Sequence, residues 1–219
     1  MSRLGFQEEI EKLNIELIKM GALVEEAIEN VVTAFKKQDK DLAQIIIKKD
    51  KDIDKMERTI ESHCLSLILR QQPVAKDLRI VSTALKMVTD MERIGDQASD
   101  IASIVLKMDG EHVFEIVEHI PEMASLVKKM VKGAIDAFVK SDLDLARQIV
   151  EIDDQVDALF KKVKCEVIDI LKKSNDLSDI CVDFLMIAKY FERIGDHAEN
   201  ICEWVEFNET GEYKNSRIL

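Results

Sequence analysis

The chain repeats itself once, and that duplication limits its fold more than any other feature. The stretch MERIGDQASDI (Met91 to Ile101) returns as FERIGDHAENI (Phe191 to Ile201), with seven of eleven positions identical. The repeat extends upstream. Leu13, Leu17, Met20, Val24, Val31 and Phe35 recur at an offset of 103 as Ile116, Ile120, Met123, Val127, Ala134 and Phe138. Ala34-Phe35, Asp39, Asp41-Leu42-Ala43, Asp50 and Asp54 return at the same offset. By the ERIGD motif the offset is 100, so the second copy is three residues shorter, in the poorly matched stretch around 172–179. One long period with two copies predicts two similar lobes; a solenoid shows shorter periods and more copies.

Each copy reads as helix. Phe6, Ile10, Leu13, Leu17, Met20, Val24, Ile28, Val31 and Phe35 step by three or four and form one apolar stripe. Asp39 is placed to cap a second helix carrying Leu42, Ile46, Ile53, Met56, Ile60, Cys64 and Leu67, and Pro73 ends it. A third stripe runs Val81, Ala84, Val88, Met91, Gly95, Ala98, Ala102 and Val105 and stops near Asp109-Gly110. In the second copy, Pro121 falls at the start of the fourth helix and Ser141-Asp142 repeats the cap. Ser174-Asn175-Asp176 reads as a turn, and the sixth helix opens at Ser178-Asp179 and ends near Phe207. The polar tail after Asn208 is expected to fray. Only 2 Pro and 7 Gly, with 47% apolar and 34% charged residues, favour long helices over sheet. The predicted fold is all-α: two tandem three-helix bundles, residues 1–109 and 110–219, each with three helices of roughly 30 residues or ~45 Å.

The motif places acids at helical spacing. Glu92, Asp96 and Asp100 lie at i, i+4 and i+8 beside the apolar seam of the third helix. Asp50, Asp54, Glu57 and Glu61 flank the seam of the second. If these edges face each other, up to seven carboxylates share one groove. Crowded carboxylates repel and raise one another's pKa unless a cation is present. An oxygen-only donor set suits hard cations such as Mg²⁺, Ca²⁺, Mn²⁺ or oxidised iron. The metal-free alternatives are a solvated acidic face and neutralisation by Arg93 and Arg193. Gly95 and Gly195, costly inside a helix, point to close approach of a neighbouring helix. The second copy keeps Asp153, Asp157, Glu192 and Asp196, but Phe160 replaces Glu57, Lys164 replaces Glu61 and Asn200 replaces Asp100. Any metal is therefore expected to favour the first lobe.

Other functions find no support. A net charge of −12 disfavours nucleic acid and anionic membrane surfaces as partners. There is no signal-like N-terminus and no apolar run of membrane-span length, so a soluble, cytoplasmic protein is expected. Cys64, Cys165, Cys181 and Cys202 form no CxxC and are read as reduced, mostly buried thiols. A di-iron bundle of ferritin type needs Glu-x-x-His on two helices, and none of His63, His112, His119 and His197 has Glu three residues before it. No phosphate loop, nucleophile elbow or other catalytic constellation appears. The chain is read as non-enzymatic.

The paired ERIGD motifs, the run Gln72-Pro73-Val74-Ala75-Lys76-Asp77-Leu78-Arg79 and the Asp39-x-Asp-Leu-Ala cap resemble the PhoU family of bacterial phosphate-uptake regulators. The resemblance spans Phe6 to Phe207. It implies two three-helix bundles and multinuclear iron or zinc, or another hard divalent cation, on E(D)xxxD motifs. By position these are Glu92 with Asp96 and Asp100, Glu192 with Asp196, Asp50 with Asp54, and Asp153 with Asp157. It also implies an adaptor between the phosphate ABC transporter ATPase and a sensor histidine kinase, a negative regulator when phosphate is plentiful, and leaves room for a homodimer. The alternative role is a metal-binding bundle with storage or redox function. The segment Gln72 to Arg79 is the candidate contact surface.

Overall fold

The computed structural model describes residues 3–108, 117–173, 177–213 and 216–217. Six helices follow in order: α1 (Arg3–Lys37), α2 (Lys40–Gln71), α3 (Lys76–Lys107), α4 (Ile120–Lys140), α5 (Leu143–Lys173) and α6 (Ser178–Thr210). A short antiparallel ladder of β1 (Glu212–Tyr213) and β2 (Ser216–Arg217) follows α6. The boundary expected near Asp109 and the turn expected at Ser174 to Asp176 lie outside the described residues. Among those residues, no helix is long and apolar enough to cross a membrane.

The predicted stripes become the core. Ile10, Leu13, Leu17, Met20, Val24, Ile28, Val31 and Phe35 are all buried on one side of α1. The two lobes turn from first to second helix in the same way. Gln38 and Ser141 adopt left-handed backbone, and Asp39 N–H and Asp142 N–H donate to the Ala34 and Ala137 carbonyls at 3.0 and 2.9 Å. The Asp39 carboxylate then accepts from Leu42 N–H, and that of Asp142 from Leu145 N–H, both at 2.9 Å. A helix end closed by this six-to-one bond and a cap one residue later fix a tight antiparallel hairpin.

Helices α1, α2 and α3 pack on one another, as do α4, α5 and α6. The bundles are not merely tethered: α3 lies along α6 and α1 against α4, giving one continuous core. Phe35 of α1 meets Phe184 and Phe191 of α6 edge-on, with centroids 6.4 and 6.2 Å apart. Two expectations need correction. With 21 residues, α4 is shorter than the ~30 expected, because an earlier start would place Pro121 inside the helix, where it has no N–H to donate and its ring clashes with the carbonyl four residues back. The tail does not simply fray after Phe207: α6 continues to Thr210, Gly211 closes it in left-handed conformation, and Tyr213 stacks on Trp204 at 4.1 Å. Cys64, Cys181 and Cys202 are buried, Cys165 is exposed, and all four are free thiols.

Candidate functional site

The acidic edges of α2 and α3 do face each other. Asp50 and Asp54 from α2 and Asp96 from α3 each offer a carboxylate oxygen within 4.8 Å of the other two. The glycine of the motif makes this approach possible. A Cβ on Gly95 would lie 2.8 Å from Ile53 Cδ1 and 3.4 Å from Asp50 Oδ1. The same logic recurs in the second lobe, where a Cβ on Gly195 would stand 3.1 Å from Asp153 Oδ1. The motif thus positions α2 and α5 as well as supplying acids.

The electrostatics of the first groove are strained. Burial raises Asp50 to about 6, with Asp96, Asp54 and Asp100 adding to it against a hydrogen bond from Ser99. Asp50 Oδ1 is shut from solvent and has no hydrogen-bond partner among the described residues. Glu92 is raised to about 7 by burial and then by Asp96 and Glu57. Its Oε2 lies 3.4 Å from Arg93 Nε, within ion-pair distance, yet the alignment makes no hydrogen bond and that oxygen is otherwise unpartnered. Burial also lifts Glu57, helped by Glu61 and Asp54, and lifts Asp96 even though Arg93 opposes it. Arg93 is half exposed and shared between Glu92 and Asp96, so it compensates only part of the charge. A buried, unpaired carboxylate oxygen among like charges is costly unless it is protonated or meets a cation.

This donor set fits a hard cation. Asp50, Asp54 and Asp96 would hold it, with Glu57 and Glu92 beside them, and such an ion supplies positive charge and bridging coordination for several carboxylates. Asp100 stands apart from that triad. It is exposed at the rim and hydrogen-bonded to the Tyr190 phenol of α6.

The second groove neutralises itself differently. Burial raises Asp153 to about 7, with Glu199, Asp196, Asp157 and Glu192 contributing. Asp196 is raised by burial and then Glu192, against Lys189. Lys189 donates to the Glu192 carboxylate and rests 5.4 Å from the Phe160 ring centroid. An ammonium on the ring that replaces Glu57 thus occupies the groove. No triad as close as Asp50, Asp54 and Asp96 forms in this groove among the described residues.

Two groove residues were missed in the sequence. Glu199 stands where the first lobe has Ser99, and Lys189 where it has Thr89. The second copy thus gains an acid and a base as well as losing acids, and both gains are visible at the offset of 100. The clamp between lobes has no periodic signature in the chain. Asp90 of α3 accepts from His197 Nδ1 at 2.8 Å, Asn200 Nδ2 at 3.2 Å and Trp204 Nε1 at 3.2 Å, all on α6. Asp90–Asn200 and Tyr190–Asp100 are one contact seen twice, since each residue lies 100 positions from its counterpart. His197 is therefore a structural donor between lobes.

Fold and site together define a class: duplicated three-helix bundles that share a core and carry a carboxylate groove between the second and third helix of each lobe. The PhoU domain matches residues 17–105 and again 120–205. A phosphate-specific transport system accessory protein PhoU homolog of Clostridium acetobutylicum is 41% identical over 212 residues, covering 96% of this chain and 97% of that protein. The PhoU of Escherichia coli is 30% identical over 207 residues, covering 94% and 86%. The crystal structure of PhoU from Pseudomonas aeruginosa superimposes with a TM-score of 0.91 at 35% identity, over 94% of this chain and all of that one. The chain belongs to the PhoU family.

Proposed function

We propose that this protein regulates phosphate uptake and phosphate-starvation signalling, as an adaptor between a phosphate ABC transporter and a sensor histidine kinase. In this reading it restrains both when phosphate is plentiful. The observation that carries the proposal is a match along nearly the whole chain to proteins named as accessory to the phosphate-specific transport system. The surface supports docking. At the α2–α3 junction Gln72 and Ala75 hold positive φ, and Leu69 and Val74 are 80% and 73% exposed. Such exposed apolar residues beside a turn suit a helix-face or loop contact. The role is non-catalytic, and the protein acts from the cytoplasm.

The first groove is proposed to bind one or more hard divalent cations or oxidised iron through Asp50, Asp54 and Asp96, with Glu57 and Glu92 in support. Unpaired Asp50 Oδ1 and the raised carboxylates favour that reading. The second groove, with Asp153, Asp157, Glu192 and Asp196 around Lys189, is proposed to bind more weakly. A pull-down with the transporter ATPase and the kinase tests the adaptor role. Retention of either from phosphate-replete extract is expected, and a Val74→Asp variant should weaken it. Binding to neither partner contradicts the adaptor reading and leaves cation storage or redox chemistry in the groove as the better account.

A further inference from the structure

We infer that Glu118, His119 and Glu166 form a transition-metal site separate from both acidic grooves, taking a single borderline divalent ion such as Zn²⁺. The three residues each offer one ligand atom, and these atoms lie within 4.8 Å of one another. Glu118 and His119 precede α4, and Glu166 comes from α5. Glu166 stands nine residues beyond Asp157, which is about 13 Å along the helix, so the cluster is no extension of the second groove. Its chemistry also differs. The grooves offer only oxygen, whereas an imidazole nitrogen with carboxylates favours zinc and its first-row neighbours over Mg²⁺ or Ca²⁺.

The first lobe shows what the same positions do when hydrogen bonds complete them. At the offset of 103, Glu16 corresponds to His119 and His63 to Glu166, so the histidine and the acid have exchanged helices. There His63 Nδ1 meets Glu16 at 2.8 Å and His63 Nε2 meets Glu9 at 3.1 Å. Both ring nitrogens are used, and neither Glu9 nor Glu16 keeps a buried oxygen without a partner.

The second lobe is left incomplete. His119 Nδ1 pairs with Glu166 Oε1, and its Nε2 makes no hydrogen bond among the described residues. Glu166 Oε2 is shut from solvent and likewise unpartnered. A cation that replaces the proton at Nδ1 bonds to that nitrogen and compensates the sequestered Glu166 carboxylate, leaving Nε2 to carry the ring proton. Donors about 2.0–2.2 Å from a tetrahedral ion lie ~3.3 Å apart, so the cluster has to tighten by at most about 1.5 Å. Glu118 is exposed and can swing inward. Binding displaces the proton held between His119 and Glu166, so affinity falls as pH drops. The ion would pin the start of α4 to α5.

The test titrates Zn²⁺ by calorimetry into the full chain carrying Asp54→Asn, Asp96→Asn, Asp153→Asn and Asp196→Asn, which disables both grooves. One equivalent is expected to remain, to resist excess Mg²⁺, and to release protons on binding. Adding His119→Ala or, separately, Glu166→Gln should weaken that equivalent at least ~10-fold while helix content by circular dichroism stays unchanged. Co²⁺ in place of Zn²⁺ should give visible d–d absorption that His119→Ala abolishes. Zinc affinity that is the same with and without His119, or no zinc bound by the groove variant, overturns the assignment. Should His119→Ala fail to fold, the Glu166→Gln titration decides alone.

Discussion

Glu92→Gln sets stability against cation binding in one substitution. The Glu92 side chain is only 16% exposed and sits at about 7 instead of the usual 4.5, because burial and then Asp96 and Glu57 disfavour its charge. A folded-state value above the unfolded one means that the protonated carboxyl stabilises the fold. That contribution is complete below about 4.5 and is lost as pH rises through about 7. The full gap corresponds to at most ~3.5 kcal/mol; solvent and half-exposed Arg93 at the groove mouth reduce it to about 1–2 kcal/mol. Glutamine keeps the shape and removes the charge. In chelator, urea unfolding at about pH 8 should therefore show the variant more stable than the parent by about 1–2 kcal/mol. Near pH 4 the two should coincide, since the parent is protonated there too. Added Mn²⁺ or Zn²⁺ should reverse the order at high pH, because the parent gains binding energy that the variant has partly lost. A variant that is less stable than the parent at high pH in chelator would refute the reasoning. It would mean that Arg93 already satisfies Glu92 and that the groove carries no unmet charge.

Further predictions follow from the same geometry. Gly95→Ala gains about 1 kcal/mol of helix propensity but drives its Cβ to 2.8 Å from Ile53. Overpacking should win, costing about 1 kcal/mol net by denaturant unfolding and loosening cation binding in the first groove as read by metal analysis. Asp90→Ala strands three donors on α6 and should destabilise by about 2 kcal/mol or more, with a shift in Trp204 fluorescence; a loss below about 0.5 kcal/mol would show the lobe clamp to be idle. Lys189→Ala frees Glu192 from its ammonium and should tighten cation binding in the second groove ~10-fold by calorimetry; unchanged affinity would mean that Lys189 does not compete with cations there.

Much of this architecture is legible in the chain because its signals are local. Apolar residues every three or four positions, Asp39 and Asp142 at the caps, and Pro73 and Pro121 at helix ends act within a few residues of themselves. The facing of the two acidic edges was legible for a related reason: the glycine in the motif only makes sense where another helix comes close, as Ile53 and Asp50 do. What stayed hidden depends on contacts between lobes or on compensation. Asp90 meets His197, Asn200 and Trp204 more than a hundred residues away, and no periodicity encodes that docking. Asp100 bears on Asp50 from the groove rim, and the hydrogen bond it also makes to Tyr190 on the facing lobe was not legible. Tyr213 holds the tail through a ring stacked on Trp204, where composition alone suggested a loose end.

The regulatory role is tested most directly by a phosphate-starvation promoter reporter in cells lacking this protein and grown in ample phosphate. The account predicts that the reporter is switched on despite the phosphate and returns to its silent state when the intact chain is restored. A reporter that stays silent in the deletion strain, and still responds normally to starvation, would contradict it.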